Sequence, residues 1–151
     1  EVIVQNLRAH PQTRLAGADE PPKDDVIRTV AMARGLLPAE ISVQAPPNLN
    51  AGAIEALLDA GLNDFGGISP VTPDFINPLH PWPQLKSLAA RCEAAGFELR
   101  PRLPVYRRFV ERADKFIDPA LARAVDAATQ RCSQWTELLR PAAPNPANAY
   151  A

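Results

Sequence analysis

Apolar positions along this chain alternate between short β-branched runs and longer stripes of helical period. Val2-Ile3-Val4 predicts a strand that ends at Gln5 and Asn6. After a polar segment reaching Pro22, Val26, Ile27, Val30, Ala33 and Leu37 recur at i, i+3 and i+4. That stripe predicts a helix opened by Asp24 and Asp25 and stopped by Pro38, with Arg28 and Arg34 on its solvent side. Ile41-Ser42-Val43 predicts a second strand, ending at Gln44 and broken by Pro46-Pro47. Asn50 is placed to cap a helix that buries Ile54, Leu57 and Leu58 and stops at Gly61. Leu62 to Ile68 reads as a third strand, weakened by Gly66 and Gly67.

A proline-punctuated loop follows through Pro70, Pro73, Pro78 and Pro81. The helix after Pro83 is expected to bury Leu85, Leu88, Ala89 and Cys92 and to stop at Gly96, with Phe97 to Leu99 as one more short strand. Asp118-Pro119 predicts a helix start, and Leu121, Val125, Ala128, Cys132, Trp135 and Leu139 form its stripe. Residues 1–140 are thus expected to form one segment, and 141–151, rich in Pro, Ala and Asn, a tail or linker. Strand alternating with helix implies parallel βα units, hence an α/β class.

Composition narrows the picture. The 151 residues fit one ordinary domain, and 17 prolines cut many element ends sharply. A net charge of -1 with no basic stripe argues against a nucleic-acid partner. No run approaches the roughly 20 apolar residues of a membrane span. Cys92 and Cys132 are too few for a disulfide scaffold and lack metal-type spacing. These features lead us to expect a reduced protein of cytoplasmic type. The chain opens at Glu1 directly into the first strand run, which leads us to expect a piece of a longer polypeptide.

What ends each strand carries the chemistry. If the strands are parallel neighbours, Gln5, Asn6, Gln44, Asn63 and Asp64 converge on one rim, where ligands bind in α/β sheets and βα barrels. Amide side chains both donate and accept, which suits a neutral, heteroatom-rich ligand. The competing reading is that these groups satisfy loop backbone, and that Asp64 bonds to a neighbouring strand or loop. Gly66-Gly67 either admits a ligand close to the backbone or marks a bend. His10 and His80 read as surface histidines, Cys92, Cys132 and Trp135 as core residues, and the arginines between 100 and 112 as a solvated face.

Three segments together resemble the 7,8-didemethyl-8-hydroxy-5-deazariboflavin (FO) synthases. They are Val2-Ile-Val-Gln-Asn-Leu-Arg-Ala-His-Pro11, Ile41-Ser-Val-Gln-Ala-Pro-Pro-Asn-Leu49 and Gly61-Leu-Asn-Asp-Phe-Gly-Gly-Ile-Ser-Pro-Val-Thr-Pro-Asp74, and Arg102-Leu-Pro-Val-Tyr106 also fits. The third is the most specific. The resemblance departs at Leu7, His10 and Phe65, where the family usually has Phe, Lys and Trp. It implies a radical S-adenosylmethionine enzyme that forms a deazaflavin chromophore from a tyrosine-derived phenol joined to a ribitylamino-pyrimidinedione. It further implies that this chain is the C-terminal portion of a TIM-type barrel, about three βα units plus terminal helices. The remainder of that barrel would be its partner. A four-iron–four-sulfur cluster on a CxxxCxxC motif and S-adenosylmethionine would be the cofactors, with the cluster cysteines upstream of Glu1 and none of this chain's cysteines among them. Gln5, Asn6, Gln44, Asn63 and Asp64 would position the substrate. The alternative is a non-catalytic α/β ligand-binding or interaction domain that keeps a barrel segment without the cluster.

Overall fold

The computed structural model describes residues 1–139. The sequence-predicted tail, 141–151, lies outside the described residues. The chain forms two compact units that divide between Gly96 and Phe97, and each is described by itself.

In the first unit the order is β1 (Val2–Ile3), α1 (Lys23–Leu36), β2 (Val43–Gln44), a 3-10 turn (Ala51–Ala53), α2 (Ile54–Asp59) and α3 (Leu85–Ala94). β1 pairs parallel with β2, Val2 opposite Val43 and Ile3 opposite Gln44. The core is built from Val26 and Val30 of α1, Val43 of β2, Ile54, Leu57 and Leu58 of α2, and Leu88, Ala89 and Cys92 of α3, all buried. The helical ones are predicted stripe positions, while Ile27, Ala33 and Leu37 of the same first stripe are only half-buried; full burial of such an aliphatic side chain stabilises by about 1.5–3 kcal/mol.

Several expectations are corrected. β2 starts later than Ile41, because Ile41 donates its N–H to the Pro38 carbonyl and belongs to the turn. The third strand shrinks to one parallel bridge between Gln44 and Asp64. Gly66 adopts φ +72°, which takes the chain out of the extended region and ends the ladder there. Asn50 makes no capping bond: its amide donates to the Pro46 carbonyl at 2.9 Å and to Asn6 Oδ1 at 3.0 Å. Leu85 is half-buried instead of core. Arg34 is half-buried and does not simply face solvent. Its side chain crosses Gly61, whose φ of +95° and missing Cβ leave room for the arginine methylenes, and Nη2 donates to the carbonyls of Pro38 and Ile41.

The second unit holds two single-turn helices, α4 (Arg107–Val110) and α5 (Ala113–Phe116), and the longer α6 (Ala122–Leu139). Phe97 to Leu99 forms no ladder. Asp118 Oδ1 accepts the Ala120 N–H at 2.8 Å and closes a separate turn, so α6 begins at Ala122 instead of Pro119. Trp135 is 51% exposed, not core, and Cys132 is half-buried. The two single-turn helices bring little apolar surface to cover an indole. The arginines form a stacked array: Arg102 and Arg108 lie over the Tyr106 ring, Arg108 also over Phe109, and Arg112 over Phe116.

Candidate functional site

Paired residues of parallel strands point to the same side of a sheet. The register therefore puts Ile3, Gln44 and Asp64 side by side on one face. Val43, fully buried, points to the other face. Ile3 is 50% exposed, and Gln44 and Asp64 are half-buried, so their face is open within this unit. Asp64 Oδ1 accepts the Gly66 N–H at 2.7 Å, a tight turn that fixes the carboxylate against the strand end. The Gln44 side chain occupies the space where Gly66 has no Cβ. Gln44, Asp64 and Gly66 thus form one surface.

The other sequence-predicted residues are placed differently. Gln5 lies two residues beyond Ile3 and is exposed. Asn63 is exposed, and its Oδ1 accepts the Val43 N–H at 2.8 Å, which extends the backbone pairing by a side chain. Asn6 is 7% exposed and is spent on the neighbouring loop: its amide donates to the Leu49 carbonyl and its Oδ1 accepts from Asn50. Gln44 and Asp64 are therefore brought together, while Asn6 and Asn63 act on backbone and loop.

A second set of polar residues, absent from the strand-end reading, organises the loops of this rim. Asn48, 4% exposed, donates from Nδ2 to Asp74 Oδ2 at 2.8 Å and to the His80 carbonyl at 3.0 Å. Its Oδ1 is buried without a hydrogen-bond partner. Asp74 Oδ1 accepts the Ile76 and Asn77 N–H groups, and Oδ2 also takes the Asn77 amide. Burial by itself would raise the Asp74 carboxyl, but the bonds from Asn77, Asn48 and Ile76 outweigh it and hold it below its ordinary value. Arg8 reaches the Leu49 carbonyl and pairs with Glu20 at 2.7 Å. Asn48 and Asp74 carry no period, and their shared purpose appears only when two loops 26 residues apart meet; the signal in the sequence was that both lie inside the quoted segments.

Over 127 residues the chain is 46% identical to the FO synthase of Streptomyces coelicolor, covering 84% of this chain and 15% of that protein. Over 112 residues it is 49% identical to the 7,8-didemethyl-8-hydroxy-5-deazariboflavin synthase of Methanopyrus kandleri, covering 74% and 33%. The corresponding synthase of Halobacterium salinarum is 52% identical over 111 residues. The chain belongs with the FO synthases. It spans 15% of the Streptomyces protein and 33% of the Methanopyrus one. No protein-family model matches the chain. No solved structure matches it.

Cys92 faces the core of the first unit, and burial pushes its thiol up from the ordinary value, which favours the protonated form. Cys132 lies on α6 in the other unit. Among the described residues no three His, Cys, Asp or Glu side chains form a group able to hold a metal ion. No described helix is long and apolar enough to cross a membrane.

Proposed function

We propose that this chain is the substrate-positioning part of an enzyme that forms the deazaflavin chromophore FO, and that Gln44 and Asp64 are its contacts on the substrate. The observation that carries this is their adjacency on one open face at the ends of parallel strands, in a chain 46% identical to an FO synthase over 127 residues. In an α/β sheet that edge is where ligands sit. A Gln44 amide matches the amide-like edges of a pyrimidinedione, and the Asp64 carboxylate matches a hydroxyl or a ring N–H. Their role is orientation, holding one bond of the substrate in the productive geometry. Gln5, at the exposed end of β1, extends this row of polar groups. Asn6, Asn48, Asn50 and Asp74 act one step behind, keeping the loops in place.

The whole enzyme, in this reading, is a radical S-adenosylmethionine synthase built on a TIM-type barrel. The parallel order of β1 and β2, with α1 between them, supports a βα-barrel segment. The iron–sulfur cluster supplies the one-electron chemistry when bound, and its ligands lie outside this chain, since Cys92 and Cys132 do not suit it.

The test is FO formation by the full-length polypeptide, followed by chromatography and mass spectrometry, with Gln44→Ala and Asp64→Asn variants. Product from the parent protein and at least about tenfold less from each folded variant supports the reading. A parent protein that binds the substrate but never converts it would replace this reading with a non-catalytic binding domain. Variants with full turnover would remove Gln44 and Asp64 from the site.

A further inference from the structure

His10 and His80, read from the sequence as separate surface residues, line one small cleft with Arg8, Asn77, Ile76 and Leu79. The cleft lies between the loop after β1 and the loop before α3, and both of its sides are pinned. On one side Arg8 is held by the Leu49 carbonyl and Glu20, and Glu20 also accepts the Ala9 N–H at 2.8 Å. On the other, Asp74 gathers the Ile76 and Asn77 backbone N–H groups, and Asn48 ties Asp74 to the His80 carbonyl. A site ordered beforehand loses little entropy on binding.

The hydrogen-bond inventory shows what such a cleft can take. A guanidinium carries five N–H groups. Arg8 spends one from Nε, one from Nη1 and one from Nη2, which leaves one on each terminal nitrogen. His10 Nδ1 accepts the Gln12 N–H at 3.2 Å, so the neutral ring carries its proton on Nε2 and donates from there. Asn77 gives one amide hydrogen to Asp74 and retains the second. Three lining side chains thus retain donors, and no carboxylate belongs to the lining. Glu20, the nearest acid to Arg8, is occupied by Arg8 and the Ala9 N–H, which hold its carboxyl below its ordinary value, with a further contribution from His80.

We propose that this cleft is an oxyanion site, in which Arg8, His10 and Asn77 donate to a carboxylate or phosphate group while Ile76 and Leu79 cover the apolar atoms beside it. The proposal stands on the cleft alone and does not require FO formation.

The test uses the full-length protein at neutral pH and constant ionic strength, titrated calorimetrically with inorganic phosphate and, separately, with acetate. One of the two should bind with a stoichiometry of one per chain, and the tighter one tells whether the natural group is a phosphate or a carboxylate. His10→Ala with His80→Ala should weaken that binding about tenfold or more. Because these variants also touch loop packing, the parent protein is treated in parallel with diethyl pyrocarbonate. Phosphate or acetate should protect His10 and His80 from modification, located by mass spectrometry. Binding unchanged in the double variant, with no protection, would mean an adventitious ion only and overturn the proposal. So would the absence of binding by either anion.

Discussion

A Cβ on Gly66 would collide with the side-chain amide of Gln44. The glycine therefore serves two purposes, a left-handed backbone at φ +72° and room for a neighbouring strand's side chain. Gly66→Ala should destabilise by about 1–2 kcal/mol through its backbone alone, and should displace the Gln44 amide. In a Gln44→Ala background the steric part disappears and the backbone part stays. Gly67→Ala, with nothing within 4 Å of its Cβ, is the neutral control. Urea unfolding of the four variants checks this, and equal costs at 66 and 67 would refute it.

Asp64→Asn separates chemistry from folding. An asparagine Oδ1 still accepts the Gly66 N–H, so the turn survives. The negative charge and half of the acceptor capacity are lost. FO formation by the full-length polypeptide should fall about ten- to hundredfold, the worth of one charged hydrogen bond, while the melting temperature changes little. The reverse pattern, normal turnover with a large drop in melting temperature, would make Asp64 structural.

Asn48→Asp should be far more damaging than its size suggests. It replaces the amide that donates to Asp74 with a second carboxylate, both buried. At neutral pH the loss should be about 3–5 kcal/mol, as for a broken buried charge arrangement. Two facing carboxylates share a proton as the solution becomes acidic. The variant should therefore recover part of its stability as pH falls from 7 towards 5, a trend seen in denaturant midpoints and absent from the parent protein.

Arg91 grips Glu55 with two bonds of 2.6 Å and reaches the Ala51 carbonyl, tying α3 to α2. The Arg91 guanidinium, with help from the backbone, holds the Glu55 carboxyl down at about 2. A folded-state value below the unfolded one means stability that is complete above about pH 4.5 and is lost as pH falls towards about 2. Glu55 is half exposed, so solvent screening limits the pair to about 1 kcal/mol or less. Glu55→Gln should flatten the acid limb of the stability curve in that window and leave neutral stability within about 1 kcal/mol. An unchanged acid limb would mean the pair contributes nothing.

Local periodicity was sufficient to locate the helices α1 and α3 and the buried positions Val30, Leu57, Leu58, Leu88 and Cys92, because a helix buries one side at a fixed spacing. Strand ends were readable as polar groups after β-branched runs, and the segments that resemble FO synthases could be named from residue order alone. Which polar group does what could not be read there. Gln44 and Asp64 share a face only because Ile3, Gln44 and Asp64 fall in parallel register. Asn63, adjacent to Asp64, instead completes the backbone pairing of β2. Asn50 has the residue type and position of a helix cap, yet Asn6 from 44 residues away takes its amide. Arg34 has the spacing of a solvated residue, yet Gly61 opens a channel for it across the helix end. Hydrophobic burial follows chain period, since any apolar neighbour serves. Hydrogen bonds need a particular donor and acceptor at about 3 Å, and in this rim the partners come from loops that only the tertiary fold brings together.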